Sequence, residues 1–280
     1  MVEAYLPKDL DECLKILNEK KVKIIAGGTD MLIQNRSHTG MSIGYRNDVL
    51  YINNLNELKN IYEDDAFVYI GAALSLEKIM ESDIAPKLLK ETILEMASPA
   101  IRHTATLAGN IGNASPAGDS LVSLYLMDAE LEIRSINNTR RVFLKDFIKG
   151  VRKITLESDE LITKVIIPKL MFEKAYFKKV GPRLSDAISK LSFAGAYQIY
   201  NNKITDIRIA FGAVNVTVVR DRLLEKKMIG KTIEELKGMI DLLTSWYDPL
   251  IVPIDDQRSN KVYRKEVAIN LLREFIENLI

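Results

Sequence analysis

The sequence predicts an α+β protein in two domains. Helical and strand patterns follow one another in mixed order up to Pro168, without the regular alternation of a doubly wound parallel sheet. From Ala175 the pattern changes to a β-hairpin followed by two helices. The 280-residue length agrees, since about 150 residues per domain suggests about two domains. The expected division is 1–170 and 171–280.

Taken in order, Leu10, Cys13, Leu14 and Leu17 fall at helical spacing and predict a helix over Asp9 to Lys20, capped near Asp9. A strand, Val22 to Ala26, then stops at Gly27-Gly28. Further strands are expected at Val49 to Ile52 and Phe67 to Gly71, and helices near Ser75 to Glu81 and Ile84 to Met96. After a polar, glycine-rich stretch from Thr104 to Gly118, a helix starts at Asp119-Ser120. Strands follow at Leu131 to Ser135, Arg141 to Leu144 and Leu161 to Ile167. Phe193 to Tyr200, the Asn201-Asn202 turn and Ile204 to Phe211 read as the antiparallel hairpin. Helices near Ile233 to Tyr247 and Tyr263 to Leu279 complete the chain.

Thirty-nine basic against 38 acidic residues leave no net field to favour nucleic acid or an anionic membrane, so an anionic ligand must be held by local geometry. No segment approaches the roughly 18 consecutive apolar residues of a spanning helix, and the charge-interleaved amino terminus lacks a signal-peptide core, so a cytoplasmic protein is expected. Cys13, the only cysteine, rules out an intrachain disulfide and an iron–sulfur cluster held wholly by this chain, which wants about four thiolates. Its helical setting reads as a packed apolar thiol.

Two glycine loops carry the chemistry. In Ile24-Ile25-Ala26-Gly27-Gly28-Thr29-Asp30-Met31 a strand runs into paired glycines, whose backbone amides can converge on phosphate oxygens with the Thr29 hydroxyl as a further donor. The alternative is a tight turn with Asp30 capping a helix. In Thr106 to Asp119 small, hydroxylated and amide residues dominate, and the one charge comes last. That composition suits a loop pressed against a large polar ligand, with Asp119 a candidate acceptor from a ribose hydroxyl or an adenine amino group. An ordered loop leading to a capped helix at Ser120 is the alternative.

Together the loops resemble those of the FAD-binding medium subunits of molybdenum hydroxylases, of the xanthine dehydrogenase and carbon monoxide dehydrogenase type: Ala-Gly-Gly-Thr-Asp, then Thr-x-Gly-Gly-Asn-x-x-x-Ala-x-Pro-x-x-Asp. The resemblance continues through Glu160 to Pro168, Tyr176 to Val180 and Asp255 to Arg264, and so spans nearly the whole chain. It implies an amino-terminal FAD-binding domain of the vanillyl alcohol oxidase and p-cresol methylhydroxylase type, followed by a small antiparallel sheet-plus-helix domain. Carried over, Ile24, Ile25, Ala26, Gly27, Gly28, Thr29, Asp30 and Met31 wrap the FAD diphosphate. Thr106, Leu107, Ala108, Gly109, Asn110 and Asp119 line the other side, Asn113 adds a contact, and Ile162 and Lys178 approach the cofactor from later strands. The resemblance also implies an iron–sulfur subunit that delivers electrons from a molybdenum-cofactor subunit, and NAD or another acceptor that takes them from FAD. No residue of this chain is then catalytic in the ordinary sense.

Ala108 departs from the pattern, standing where the family has the first glycine of Gly-Gly-Asn; if that position needs positive φ, Ala costs on the order of 1 kcal/mol. It is the one feature favouring an assembly subunit without FAD. The enzymatic rival is a self-contained flavin oxidoreductase of the same superfamily, opposed by the absence of a histidine at the loops for covalent flavin and by the family-like tail.

Other motifs are weaker. Gly230-Lys231-Thr232 resembles the end of a phosphate-binding loop, but position 225 is Glu where Gly is required, and no G-x-G-x-x-G is present. His38 and His103 lack neighbours at metal spacing and read as surface residues. Asp64-Asp65 and Asp255-Asp256 read as turn or solvated positions, with Asp256 and Arg258 forming an ion pair, and Trp246 reads as core.

Overall fold

The apolar stripe Leu10, Cys13, Leu14 and Leu17 becomes the buried side of helix α1 (Leu10–Glu19) in the computed structural model, which describes residues 2–35 and 47–280. Asp9 caps it, its carboxylate accepting from the Glu12 amide at 2.8 Å. Around α1 lie strands β1 (Ala4–Tyr5) and β2 (Val22–Ile25), helix α2 (Thr29–Gln34) and strand β3 (Asp48–Tyr51). β3 pairs in parallel with both β1 and β2, placing Ile24 opposite Leu50. The α1 stripe packs with Leu50, Ile52, Leu55 and Leu58 in one core.

Strands β4 (Ile61–Glu63) and β5 (Phe67–Gly71) form a hairpin whose turn is held by Asp64, a carboxylate accepting from the Ala66 and Phe67 amides at 2.8 and 2.7 Å. Helices α3 (Leu76–Glu81), α4 (Lys87–Leu94), α5 (Pro99–Arg102), α6 (Leu107–Asn113) and α7 (Asp119–Leu126) follow. After them come β6 (Glu130–Arg134), β7 (Thr139–Phe143), α8 (Leu144–Phe147), the short hairpin β8 (Ile148–Gly150) and β9 (Lys153–Ile154), and β10 (Leu161–Pro168). An antiparallel sheet is ordered β4-β5-β10-β6-β7. Its central strand β10 buries six of its eight residues, which is why that segment reads as a continuous apolar run rather than an alternation.

The remaining elements are β11 (Lys174–Val180), β12 (Leu191–Tyr200), β13 (Lys203–Gly212), α9 (Arg222–Lys226), α10 (Ile233–Gly238), α11 (Ile240–Tyr247) and α12 (Lys261–Glu277). β11, β12 and β13 form an antiparallel meander. Asn201 and Asn202 both take positive φ, 49° and 59°, as a two-residue turn matched to strand twist requires. Phe193, Phe211, Tyr247 and Phe275 centre the core against this sheet.

The chain groups into two compact units. The first is Met1–Pro86, Ala97–Ala114 and Asp128–Lys169; the second is Lys87–Met96, Ser115–Met127 and Leu170–Ile280. Helices α4 and α7 therefore belong with the β11-β12-β13 meander although both precede residue 170. All eight residues of α7 are buried. At its carboxyl end, Arg208 and Arg220 donate to the Leu126 carbonyl at 3.0 and 2.9 Å, satisfying an acceptor the helix cannot pair internally.

Three expectations change in detail. The helix expected over Ile84 to Met96 is only Lys87–Leu94, because Pro86 keeps the residue before it out of helical geometry. The helix expected over Ile233 to Tyr247 is α10 and α11, broken at Met239 (φ −107°, ψ 11°) just after Gly238. Trp246 is half-buried at the edge of the second unit's core, with the Lys227 ammonium 4.7 Å from its ring centroid.

Candidate cofactor-binding site

The first loop leaves β2 after Ile25, whose carbonyl accepts from the Ile52 amide at 3.0 Å. A Cβ on Gly27 would lie 2.0 Å from the Thr104 carbonyl oxygen and 2.9 Å from the Ala105 Cα, so only glycine permits this approach of two backbones. Gly28 is left-handed (φ 70°) and starts α2 without a side-chain cap. Among the described residues the amides of Thr29, Asp30 and Met31 and the Thr29 hydroxyl have no hydrogen-bond partner. They form a set of donors ready for an anion.

The second segment is a helix where the sequence reads as a loop. Thr106 caps α6, accepting from the Gly109 amide at 3.0 Å, and Leu107, Ala108 and Ile111 turn into the core. Two glycines and two asparagines in seven residues, all poor helix formers, conceal it. Ala108 is thus helical, and the strain expected of Ala there does not arise. The left-handed residue is instead Ala114 (φ 44°, ψ 45°), which ends the helix. The buried side chains of Ile25, Leu107 and Ala108 leave those residues only backbone to offer a ligand.

The first unit brings these segments together. Gly109 faces Ala26, a Cβ on Gly109 falling 3.9 Å from the Ala26 Cβ, and the Asn113 amide donates to Asp30 Oδ2 at 2.9 Å. The Leu76 amide, donating to the Ala105 carbonyl at 2.8 Å, fixes the entry to α6. Ile162 lies in the same unit on β10, buried opposite Ile133. Asp119 and Lys178 lie in the second unit. Asp119 is buried, accepting from Ser189 Oγ at 2.5 Å and lying 2.9 Å from Lys179 Nζ; burial raises its pKa above the usual aspartate value, opposed by Lys179 and Ser189. Lys178 is an exposed residue of β11 opposite Phe193.

Three contributors escaped sequence reasoning. The Thr104-Ala105 backbone forms the seam with Gly27, and Gln34 and Arg152 join Asn113: Gln34 Nε2 donates to Asn113 Oδ1 at 2.9 Å, and an Arg152 guanidinium nitrogen donates to Gln34 Oε1 at 3.3 Å. These partners stand 79 and 118 residues apart, and no local pattern announces them.

The remaining motifs find structural uses. Thr232 caps α10 reciprocally with Glu235. Asp256 pairs with Arg258 at 3.1 Å and Arg264 at 2.6 Å. His103 is exposed, its Nδ1 3.0 Å from the Pro99 carbonyl, while His38 lies outside the described residues. Among the described residues no group of His, Cys, Asp and Glu is arranged to hold a metal, and no helix is long and apolar enough to cross a membrane.

Comparison with known proteins gives the family of the chain. Residues 1–170 match the family described as the FAD binding domain in molybdopterin dehydrogenase, and residues 175–279 match the CO dehydrogenase flavoprotein C-terminal domain. The chain belongs to the FAD-binding medium subunits of the molybdopterin dehydrogenases. Within this family it is 30% identical to the glyceraldehyde dehydrogenase medium chain of Sulfolobus acidocaldarius, over 93% of this chain and 92% of that one. It is 26% identical to the nicotinate dehydrogenase FAD-subunit of Eubacterium barkeri, over 99% and 96%. The fold matches carbon monoxide dehydrogenase from Hydrogenophaga pseudoflava with a TM-score of 0.87 at 22% identity, covering 98% of this chain and 95% of that one.

FAD, the cofactor of this family, suits the residues present. Among the described residues the amides of Thr29, Asp30 and Met31 have no protein partner, and a Cβ on Gly112 would meet nothing within 4 Å.

Proposed function

We propose that the chain is the FAD-carrying electron-transfer subunit of a cytoplasmic molybdenum hydroxylase. In this role it takes electrons from an iron–sulfur partner, itself fed by a molybdenum-cofactor subunit, and passes them to NAD or another acceptor. The observation that carries the reading is the joining of the two glycine segments, 26–31 and 104–113, through the Gly27 seam and the Asp30–Asn113 hydrogen bond.

Bound FAD supplies the exchange between single-electron and paired-electron chemistry. The chain's residues bind and orient it: Ile24 to Met31 along the diphosphate, Thr106 to Asn110 beside them, and Ile162 against an apolar part of the cofactor. Asp119 and Lys178, which the resemblance adds, lie in the second unit, where Asp119 is engaged by Lys179 and Ser189. A single thiol holds no cluster, so the electron path requires partner chains. The rival assembly subunit without FAD loses its one support, since Ala108 is unstrained in α6.

Purification of the full chain tests this. We expect yellow protein that retains FAD and transfers electrons only with partner subunits, and loss of flavin when Gly28 or Asn110 is replaced by Trp. Colourless wild-type protein that takes up no FAD would overturn the reading, and yellow protein that turns over alone would favour the self-contained oxidoreductase.

A further inference from the structure

We propose that Arg152 is a positioning residue for FAD, acting on the two glycine segments through Gln34 and Asn113 without touching the cofactor; the proposal rests on the FAD function above. Arg152 stands at the tip of the β8–β9 hairpin in left-handed conformation (φ 54°). Its amide donates to the carbonyl of Ala114 at 3.0 Å, and Ala114, which ends α6, is itself left-handed. Each such residue is strained and persists only where its surroundings hold it. Two of them face each other here, joined by a hydrogen bond.

From that anchored backbone a relay runs across the site. Arg152 donates to Gln34 Oε1 at 3.3 Å, Gln34 Nε2 to Asn113 Oδ1 at 2.9 Å, and Asn113 Nδ2 to Asp30 Oδ2 at 2.9 Å. A guanidinium only donates and a carboxylate only accepts, so the ends fix the sense of both amides between them. Asp30 and Gln34 are four residues apart and so share a face of α2, which the relay grips at both positions. Asn113, the last residue of α6, is held against that face.

This bears on the cofactor because Asp30 is the one acidic residue of the first loop, next to donors suited to a diphosphate. A carboxylate free to turn toward them repels an anion. Held by Asn113 and connected through neutral amides to a cation, it stays directed along the relay. Arg152 thus sets both the spacing of the two segments and the direction of the loop's only negative charge.

The test is a double-mutant cycle on the full-length chain, stripped of flavin and titrated with FAD and, separately, with ADP, which carries the diphosphate without the flavin ring. Arg152→Ala and Gln34→Ala are each expected to weaken FAD and ADP binding about tenfold, the double variant no more than the weaker single, and Arg152→Lys to recover part of the loss. Unfolding midpoints of the cofactor-free variants report folding independently. Additive losses, or unchanged FAD affinity in either folded single variant, overturn the relay. Wild-type chain that binds neither FAD nor ADP overturns the cofactor assignment beneath it. Should Arg152→Ala fail to fold, the exposed Gln34→Ala decides alone.

Discussion

Lys179 Nζ lies 2.9 Å from Asp119 Oδ2, with both side chains under a tenth exposed, at the start of a helix whose every residue is buried. Lys179 also donates to the Glu95 carbonyl at 2.8 Å. The pair ties α7 and the end of the α4 segment to β11. Removing one partner strands a buried charge, so Lys179→Met is expected to cost about 3–5 kcal/mol near neutral pH. Asp119 already has a raised pKa, from burial first, and loses its main opposing influence when Lys179 goes. A carboxyl raised in the folded state keeps its full contribution below the unfolded value of about 3.9 and loses it as pH rises through the folded value. The deficit of Lys179→Met should therefore shrink as pH falls toward that value, as urea titrations across that range would show. Asp119→Leu added to Lys179→Met should restore much of the loss; a deeper loss would argue against a stranded charge.

Gly27 and Gly28 differ in what an added methyl meets. At Gly28 the penalty is left-handed backbone alone, on the order of 1 kcal/mol. At Gly27 the methyl strikes the Thr104 carbonyl, and the two segments must part. Gly27→Ala is expected to lose nearly all flavin through gel filtration while Gly28→Ala keeps a measurable share, read as the ratio of visible to ultraviolet absorbance. Equal retention in both would remove the seam from the account.

Cys13 has no exposed surface and its thiol is pushed up to about 12, by burial first and then by Glu57. It should stay silent toward a disulfide reagent at mildly alkaline pH and react at once in urea. Fast reaction of native protein would contradict the packing of α1.

The linear division at residue 170 is not a place to cut the chain. A fragment of 171–280 lacks α4 and α7, on which β11, β12 and β13 rest. It should show no cooperative thermal transition by circular dichroism. A sharp transition matching one in the full chain would mean the meander core suffices alone.

What the sequence discloses depends on how local the cause is. Helix α1, strand β10 and the Asn201-Asn202 hairpin are written as periods and turn residues within single segments. Helix α6 is hidden because Gly and Asn serve its close packing against Ala26 and Asp30 rather than its helicity. The glycine loops were visible in the sequence as small residues without charge. The relay from Arg152 to Asp30 was not, since each link joins elements distant in sequence and no residue type in it is unusual. Asp119 shows a further limit: it closes the second motif in sequence, yet it lies in the second unit, paired with Lys179 and accepting from Ser189.

The threading of α4 and α7 into the second unit bears on how the chain is born. At roughly 5–20 residues per second, a ribosome releases Asp119–Leu126 seconds before the strands it packs against exist. During that interval the nascent chain carries a helix with apolar residues on every side and nothing to cover it. Slow elongation lengthens the interval and invites capture by other unfinished chains. The yield of this protein in a foreign host should therefore depend on translation tempo and on holding chaperones.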